Sequence, residues 1–119
     1  MTFRRLDDMV GGWLVGDFEP TCLRTDACEV ACKQYAAGEH EHAHMHRIAT
    51  EITLIASGKA RMGKRELTAG DIVILEPGDA TDFTAVEPTM TVVVKMPSVI
   101  GDKYPVEPTT ADATGWAEA

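Results

Sequence analysis

All four histidines of the chain lie in one short tract, at every second position from His40 to His46. Alternate residues of a β-strand point to the same face, so a strand here would present a row of imidazoles. Neutral imidazole is the commonest protein ligand for late first-row divalent ions, whereas a solvated surface has little need of four in register. The tract therefore favours metal binding, with a polar His-rich surface strand as the alternative.

Glu51 follows the tract and offers a carboxylate to the same site. On a regular strand its odd separation from His44 and His46 would place it on the opposite face. A bend around residues 47–50 would bring it back toward the two imidazoles. Two nitrogens and one carboxylate oxygen then match the facial set that holds non-haem Fe(II), and they equally suit a catalytic zinc ion.

Glycines frame these residues in the order Gly-x5-His-x-His-x4-Glu-x6-Gly, from Gly38 to Gly58. In this motif the chain resembles the cupin superfamily, whose first motif has the same residues at the same intervals. Residues 70–85 resemble the second cupin motif in part, since Gly70 and Gly78 match it. The resemblance covers most of the chain and implies a metal-binding β-barrel.

Thr81 stands where the second cupin motif usually carries a histidine as fourth metal ligand. His42 is the predicted substitute, because it continues the register of His44 and His46. The resemblance thus implies a divalent ion held by these three histidines and Glu51. Iron, zinc, nickel and manganese all accept such nitrogen and oxygen donors, so the metal stays unresolved.

A small-molecule ligand is expected beside the metal. By strand alternation Thr81 and Phe83 share one face and are predicted to line its pocket. Gln34 and Tyr35 are further candidates for orienting a substrate. Lys95 lies among valines and is expected to extend its charged end to the surface.

Alternation with a period of two residues dominates the chain, which predicts short strands separated by Gly and Pro. The predicted strands are residues 12–18, 28–36, 51–57, 72–75 and 90–96. Met62-Gly63-Lys64-Arg65 is typical of a two-residue hairpin with glycine at the first central position. Such strands indicate a sandwich or a barrel.

The cupin resemblance selects one of these architectures: an all-β fold, as a single small antiparallel β-barrel of jelly-roll type. We expect one domain over residues 1–106, with the first motif at 38–58 and the second at 70–85. Residues 107–119 are predicted to form a flexible C-terminal tail.

The composition of the chain limits the classes of partner that we expect it to bind. A chain of 119 residues with 45% hydrophobic residues fits one hydrophobic core. A formal net charge of −8 and an aromatic content of 6% argue against nucleic-acid binding. No apolar run approaches the ~18 residues of a membrane helix. Three cysteines cannot all form disulfides with one another, which favours the reducing cytoplasm.

The cupin resemblance further implies that the protein is a homodimer.

Three functions remain open. The first is a metal-dependent enzyme of dioxygenase or isomerase type, acting on a small organic or sugar-like substrate. The second is a non-catalytic module that binds a small ligand or a metal, favoured by the missing fourth histidine and the lack of an evident base. The third is a metal-free cupin acting on nucleotide-linked sugars, which the intact His-x-His-x4-Glu set disfavours.

Overall fold

Residues 1–107 are described by a computed structural model, and they are almost entirely strands and turns. A 3-10 turn at Leu6–Asp8 precedes the strands. These are β1 Trp13–Gly16, β2 Leu23–Arg24, β3 Glu29–Tyr35, β4 His40–Met45, β5 Thr50–Ser57, β6 Lys59–Met62, β7 Arg65–Thr68, β8 Ile72–Leu75, β9 Ala80–Ala85, β10 Thr89–Met96 and β11 Tyr104–Pro105. Of the predicted tail, residues 108–119 lie outside the described part.

The strands form two sheets. The six-stranded sheet has the order β2-β1-β3-β10-β5-β8, and the five-stranded sheet has the order β11-β4-β9-β6-β7. Neighbours pair in antiparallel fashion except β1 and β2, which are parallel. The predicted all-β jelly-roll class is confirmed, although within residues 1–107 the two hydrogen-bonded sheets remain separate and do not close into one barrel.

The hydrophobic core lies between the sheets. Its buried members come from both of them: Ile55, Ala60, Met62, Leu67, Phe83 and Ala85. Tyr35 of β3 reaches across to Phe83 of β9, with the ring centroids 4.6 Å apart. Met62 and Phe83 also line the large cavity beside the core, so the core forms one wall of that cavity.

Among residues 1–107, the structure contains no helix with the length and hydrophobicity needed to span a membrane.

The turn between β6 and β7 is the predicted hairpin. Met62 pairs with Arg65, which leaves Gly63 and Lys64 as the two loop residues. Gly63 has a φ of 62°, and no non-glycine residue of the described chain has a positive φ. A positive φ at the first central position alone is the signature of a type II′ turn.

The outer side of the six-stranded sheet carries exposed isoleucines. Ile52 of β5 pairs with Ile74 of β8, and Ile72 lies two residues along the same edge strand. Ile74 is 59% exposed. We call these three residues the outer apolar face. Val94 of β10 pairs with Ile52 and continues this face inward from the edge.

Two glycines of the cupin motifs give a matched test of packing. Gly58 and Gly70 have similar positive φ values, 91° and 95°. An added Cβ at Gly58 would lie 2.3 Å from the carbonyl oxygen of Pro88, whereas at Gly70 it would meet nothing within 4 Å. We expect Gly70→Ala to lower the free energy of unfolding by about 1 kcal/mol, from backbone strain alone.

Gly58→Ala should lower the free energy of unfolding by roughly 2 kcal/mol more, because the chain at Pro88 must move. Urea unfolding of both variants measures this difference. Equal losses would show that the contact at Pro88 is not a constraint.

Candidate functional site

A cavity of about 380 Å³ opens between the two sheets. His44, His46 and Glu51 all line it, as do Thr81 and Phe83. The structure therefore brings these predicted residues to the wall of one cavity. The following contacts define how each of them is held.

The bend between β4 and β5 is organised by Asp102. Its carboxylate accepts hydrogen bonds from the backbone N–H groups of Arg47 (2.9 Å), Ile48 (3.1 Å) and Ala49 (2.9 Å). Its backbone carbonyl accepts a hydrogen bond from Nδ1 of His46. The predicted bend is present, and it places the carboxylate of Glu51 beside the imidazole of His46.

His46 and Glu51 form a buried pair. Nε2 of His46 lies 3.1 Å from Oε1 of Glu51, and Oε2 of Glu51 accepts a hydrogen bond from Thr53 at 3.0 Å. The hydrogen bond to Glu51 raises the pKa of His46. Burial alone would raise the pKa of Glu51, but His46 and Thr53 lower it below its usual value. Both directions favour an imidazolium–carboxylate pair.

His44 differs from His46 in the direction in which its pKa is shifted. Its Nδ1 lies 3.2 Å from the backbone carbonyl oxygen of His42, which can only accept a hydrogen bond. Burial lowers the pKa of His44, so the ring is neutral near pH 7 and Nε2 carries the lone pair. The rings of His44 and His46 lie 5.3 Å apart between centroids.

These side chains do not form a closed cage. Within residues 1–107, no three His, Cys, Asp or Glu side chains are grouped so that they could hold a metal ion. Instead, Nε2 of His46 contacts the carboxylate of Glu51 directly. The residue types of the predicted site are thus together in one cavity, with His46 and Glu51 paired to each other.

Two predicted positions fall outside the cavity. The register of β4 against β9 shifts between Glu41 and His44, and His42 is exposed in consequence. Gln34 is exposed because it alternates with Lys33 and Tyr35, which face inward. Contrary to prediction, the structure places neither His42 nor Gln34 among the residues that line the cavity.

The other predicted pocket residues lie on the cavity wall. Thr81 pairs with His44 across the β4–β9 ladder, and its hydroxyl donates to the carbonyl of Asp82 at 3.0 Å. Phe83 is buried two residues further along β9. Tyr35 faces them from the opposite sheet.

Glu41 lines the cavity, although the alternating histidine pattern did not predict it as a site residue. Its Oε1 accepts a hydrogen bond from the hydroxyl of Tyr35 at 2.5 Å, and its Oε2 lies 3.5 Å from Nζ of Lys33. Burial alone would raise the pKa of Glu41, but Tyr35 and Lys33 lower it. Burial and the bond to Glu41 raise the pKa of Tyr35, so the phenol stays protonated. Strict alternation with His40 and His42 would have placed Glu41 outside.

Lys95 was expected at the surface and is buried instead. Its Nζ lies 3.3 Å from Oε1 of Glu29, whose other oxygen accepts a hydrogen bond from Ser98 at 2.8 Å. Lys95 faces the cavity because it shares the inner side of β10 with Val93 and Thr91. Glu29 lies directly opposite Lys95 on β3, and this cross-strand register, which the sequence does not specify, accounts for the pair.

Several solved structures have an architecture similar to that of this chain. An uncharacterized conserved protein with a double-stranded beta-helix domain from Klebsiella pneumoniae is 26% identical, with a TM-score of 0.64 over 70% of this chain and 73% of that chain. DMSP lyase DddQ from Ruegeria pomeroyi is 22% identical, with a TM-score of 0.66 over 79% of this chain and 49% of that chain.

A sugar phosphate isomerase from a cupin superfamily, from Silicibacter pomeroyi, is 17% identical, with a TM-score of 0.57 over 60% of this chain and 52% of that chain. No family model matches the chain, and no curated protein does. The similarity to these solved structures therefore assigns the double-stranded β-helix fold to the chain. The chain shares this fold with a structure described as a member of a cupin superfamily.

Asp102 gives a test of how the site is held. Asp102→Asn should lower the free energy of unfolding by about 2 kcal/mol at pH 7, because an amide replaces a charged acceptor of several N–H groups. Asp71→Asn is the control, since Asp71 accepts one exposed N–H, that of Thr68. Urea unfolding of both variants measures the difference.

The effect of Asp102 should also depend on pH. Backbone N–H groups lower its pKa in the folded state, although burial acts in the opposite direction. Its contribution is therefore complete above the unfolded pKa of about 4 and is lost as the pH falls through the folded value. The gap between wild type and Asp102→Asn should shrink below about pH 4. A gap that is constant down to pH 2 would contradict this assignment.

Proposed function

We propose that this chain is a divalent-metal-binding cupin that acts as an enzyme on a small organic or sugar-like molecule in the cavity. The observation that carries the proposal is the orientation of the two imidazoles. Nδ1 of His44 and Nδ1 of His46 both face backbone carbonyl oxygens, which directs Nε2 of each ring away from the backbone. Metal-binding histidines are commonly fixed through such a bond.

The contact between His46 and Glu51 fits the same interpretation. Because Nδ1 of His46 must donate to a carbonyl, the bond from Nε2 to Glu51 needs a further proton. A divalent cation can take the place of that proton, and the ligands would then be His44, His46 and Glu51. Thr53 holds the second carboxylate oxygen and so limits rotation of Glu51.

The bound ion would supply Lewis-acid or redox chemistry, according to its identity. The donor set suits iron, zinc, nickel or manganese. Proton transfer falls to the chain itself. Glu41 lines the cavity as a carboxylate that could accept a proton from a bound molecule, and Tyr35 and Lys33 hold it in place.

Glu41 is the reason to favour an enzyme over a non-catalytic binding module. The sequence alone offered no evident base, and the position of Glu41 on the cavity wall supports it as a candidate. Among proteins of similar fold, one is named a lyase and another an isomerase. The alternative is a non-catalytic binding module. The variant Glu41→Gln separates the enzyme from the binding module: if the protein is an enzyme, this variant should retain the metal and lose turnover.

Metal content is the direct test. Protein purified without a His tag should contain close to one equivalent of a divalent metal by elemental analysis. His44→Ala and Glu51→Gln should each lose most of it, because each removes a ligand. His42→Ala is the matched control, since His42 lies on the same strand and is exposed. A variant set in which all three retain equal metal would refute the proposed site.

Chelation and acid should act in the same direction. Metal that binds the folded state alone raises stability by about 2.7 kcal/mol at a hundredfold excess over its Kd, so a chelator should lower the melting temperature. Acidification below about pH 6 should release the ion as imidazoles gain protons. Full occupancy at pH 5 would count against histidine ligation.

We further propose that a second copy of this chain covers the outer apolar face. Ile52, Ile72 and Ile74 lie together and exposed at the edge of the six-stranded sheet, and such apolar patches commonly mark protein interfaces. Ile74→Glu should shift the sedimentation coefficient from dimer to monomer without loss of metal. A wild-type chain that sediments as a monomer at high concentration would exclude the dimer.

A further inference from the structure

A short segment after β10, residues 98–102, runs along the edge of the cavity between two buried anchors; we call it the strap. The hydroxyl of Ser98 donates a hydrogen bond to Glu29 at 2.8 Å and accepts one from the backbone N–H of Asp17 at 3.0 Å. At the other end, the carboxylate of Asp102 accepts N–H groups of the bend between β4 and β5. The strap is therefore fixed at both ends by polar contacts.

Ile100 occupies the middle of the strap. It is 67% exposed, yet it lines the cavity together with Val99. A side chain that is both exposed and part of the cavity wall lies at the rim of the cavity. Because the two ends of the strap are anchored, the backbone at Ile100 is held in place although its side chain is mostly in water.

The loop after β1 brings an aromatic side chain to the same rim. Phe18 lines the cavity, and a Cβ added at Gly16 would lie 2.1 Å from Cε2 of its ring. The ring of Phe18 thus packs directly on the glycine backbone. The hydrogen bond from Asp17 to Ser98 joins this loop to the strap, and Phe18 and Val99 each follow one of the bonded residues.

The segment before β1 adds Val10, which is 69% exposed and also lines the cavity. We call Val10, Phe18, Pro20, Val99 and Ile100 the apolar collar. It is built from three segments that lie outside both cupin motifs. An exposed apolar patch that is continuous with a cavity is typical of a ligand-binding site.

The apolar surface continues from the collar into the cavity. Met62, Leu75, Phe83 and Val93 line the same space of about 380 Å³ as the proposed metal ligands. Small-molecule sites commonly combine such a mostly apolar wall with a few polar groups that fix the orientation of the ligand. A sugar carries hydroxyl groups along its whole length, and those facing the collar would lose hydrogen bonds to water without replacement.

We infer that the apolar collar binds the hydrocarbon part of a small organic molecule whose oxygen atoms lie at His44, His46 and Glu51. This assignment deepens the proposed function and rests on it for the polar end of the ligand. It makes the substrate class an organic molecule with an oxygen-bearing head and an apolar body, in preference to sugars. Val10 and Ile100 are then specificity-determining residues that touch the apolar body.

The test uses two hydroxamic acids, whose common head group binds divalent metals through adjacent oxygen atoms. Octanohydroxamic acid differs from acetohydroxamic acid only in its longer hydrocarbon chain, so a comparison of the two measures the contribution of the apolar part. Burial of one methylene group strengthens binding about fourfold. In isothermal titration of zinc-loaded protein, octanohydroxamic acid should therefore bind at least about thirtyfold more tightly than acetohydroxamic acid.

Two variants locate that gain in affinity. Val10→Ser and Ile100→Ser should each weaken the binding of octanohydroxamic acid about fivefold and leave acetohydroxamic acid unchanged, because only the long chain reaches the collar. Both side chains are exposed, so neither substitution should prevent folding. Val86→Ser is the matched control, since Val86 is 42% exposed and lies outside the cavity. It should change the binding of neither ligand.

Elemental analysis of the same samples separates the two proposals. If zinc and acetohydroxamic acid are bound but the longer chain gives no advantage, or if Val86→Ser acts as strongly as Ile100→Ser, the collar assignment is wrong and the metal site stands. If the protein takes up no zinc while octanohydroxamic acid still binds through Val10 and Ile100, the metal function fails and the collar stands.

Two other results would also overturn the assignment. If D-glucose binds the zinc-loaded protein more tightly than octanohydroxamic acid, the substrate class is wrong. If a second copy of the chain covers the collar instead, the longer chain gives no advantage and Ile100→Ser changes the sedimentation coefficient of the protein.

Discussion

The carboxylate of Asp102 accepts hydrogen bonds from three successive backbone N–H groups, those of residues 47–49, while its own carbonyl accepts one from His46. Buried N–H groups in a tight bend would otherwise lack partners, and no regular strand pairing supplies them. A single residue therefore fixes both the path of the chain before Glu51 and the rotation of the His46 ring. The relative position of imidazole and carboxylate follows from these bonds.

The inner face of the six-stranded sheet shows how a small domain keeps charged groups out of water. Glu29, Lys95 and Glu51 alternate in sign across three neighbouring strands. Each charge alone would be strongly unfavourable in this position, but each has an opposite charge or a hydroxyl beside it. The arrangement produces a polar wall whose side chains are already oriented, so a ligand does not have to order them.

Much of the fold was readable from the sequence, because alternation and glycine position are local signals. The β6–β7 hairpin and the strands of both motifs follow from them. Gln34 and Tyr35 show the limit of such reasoning: adjacent strand residues face opposite ways, and without knowing which side is the interior both stayed candidates. In the structure Tyr35 lines the cavity and Gln34 is exposed.

Other features depended on contacts between distant residues. The register shift before His44 turns Glu41 inward and His42 outward. No local sequence pattern predicts this shift. Lys95 could be assigned to the interior only once Glu29 was known to lie opposite. Asp102 belongs to neither cupin motif, so motif spacing had no means of revealing its part in the site. The metal remains a prediction from residue type and position.

The distance of Asp102 along the chain has a consequence for biosynthesis. His46 and Asp102 are separated by 56 residues, and both cupin motifs end before Asp102 is reached. A ribosome will already have produced every motif residue while the bend at 47–49 still lacks its acceptor. The arrangement that unites His46 with Glu51 thus matures late, after nearly all strands of the domain have been synthesised.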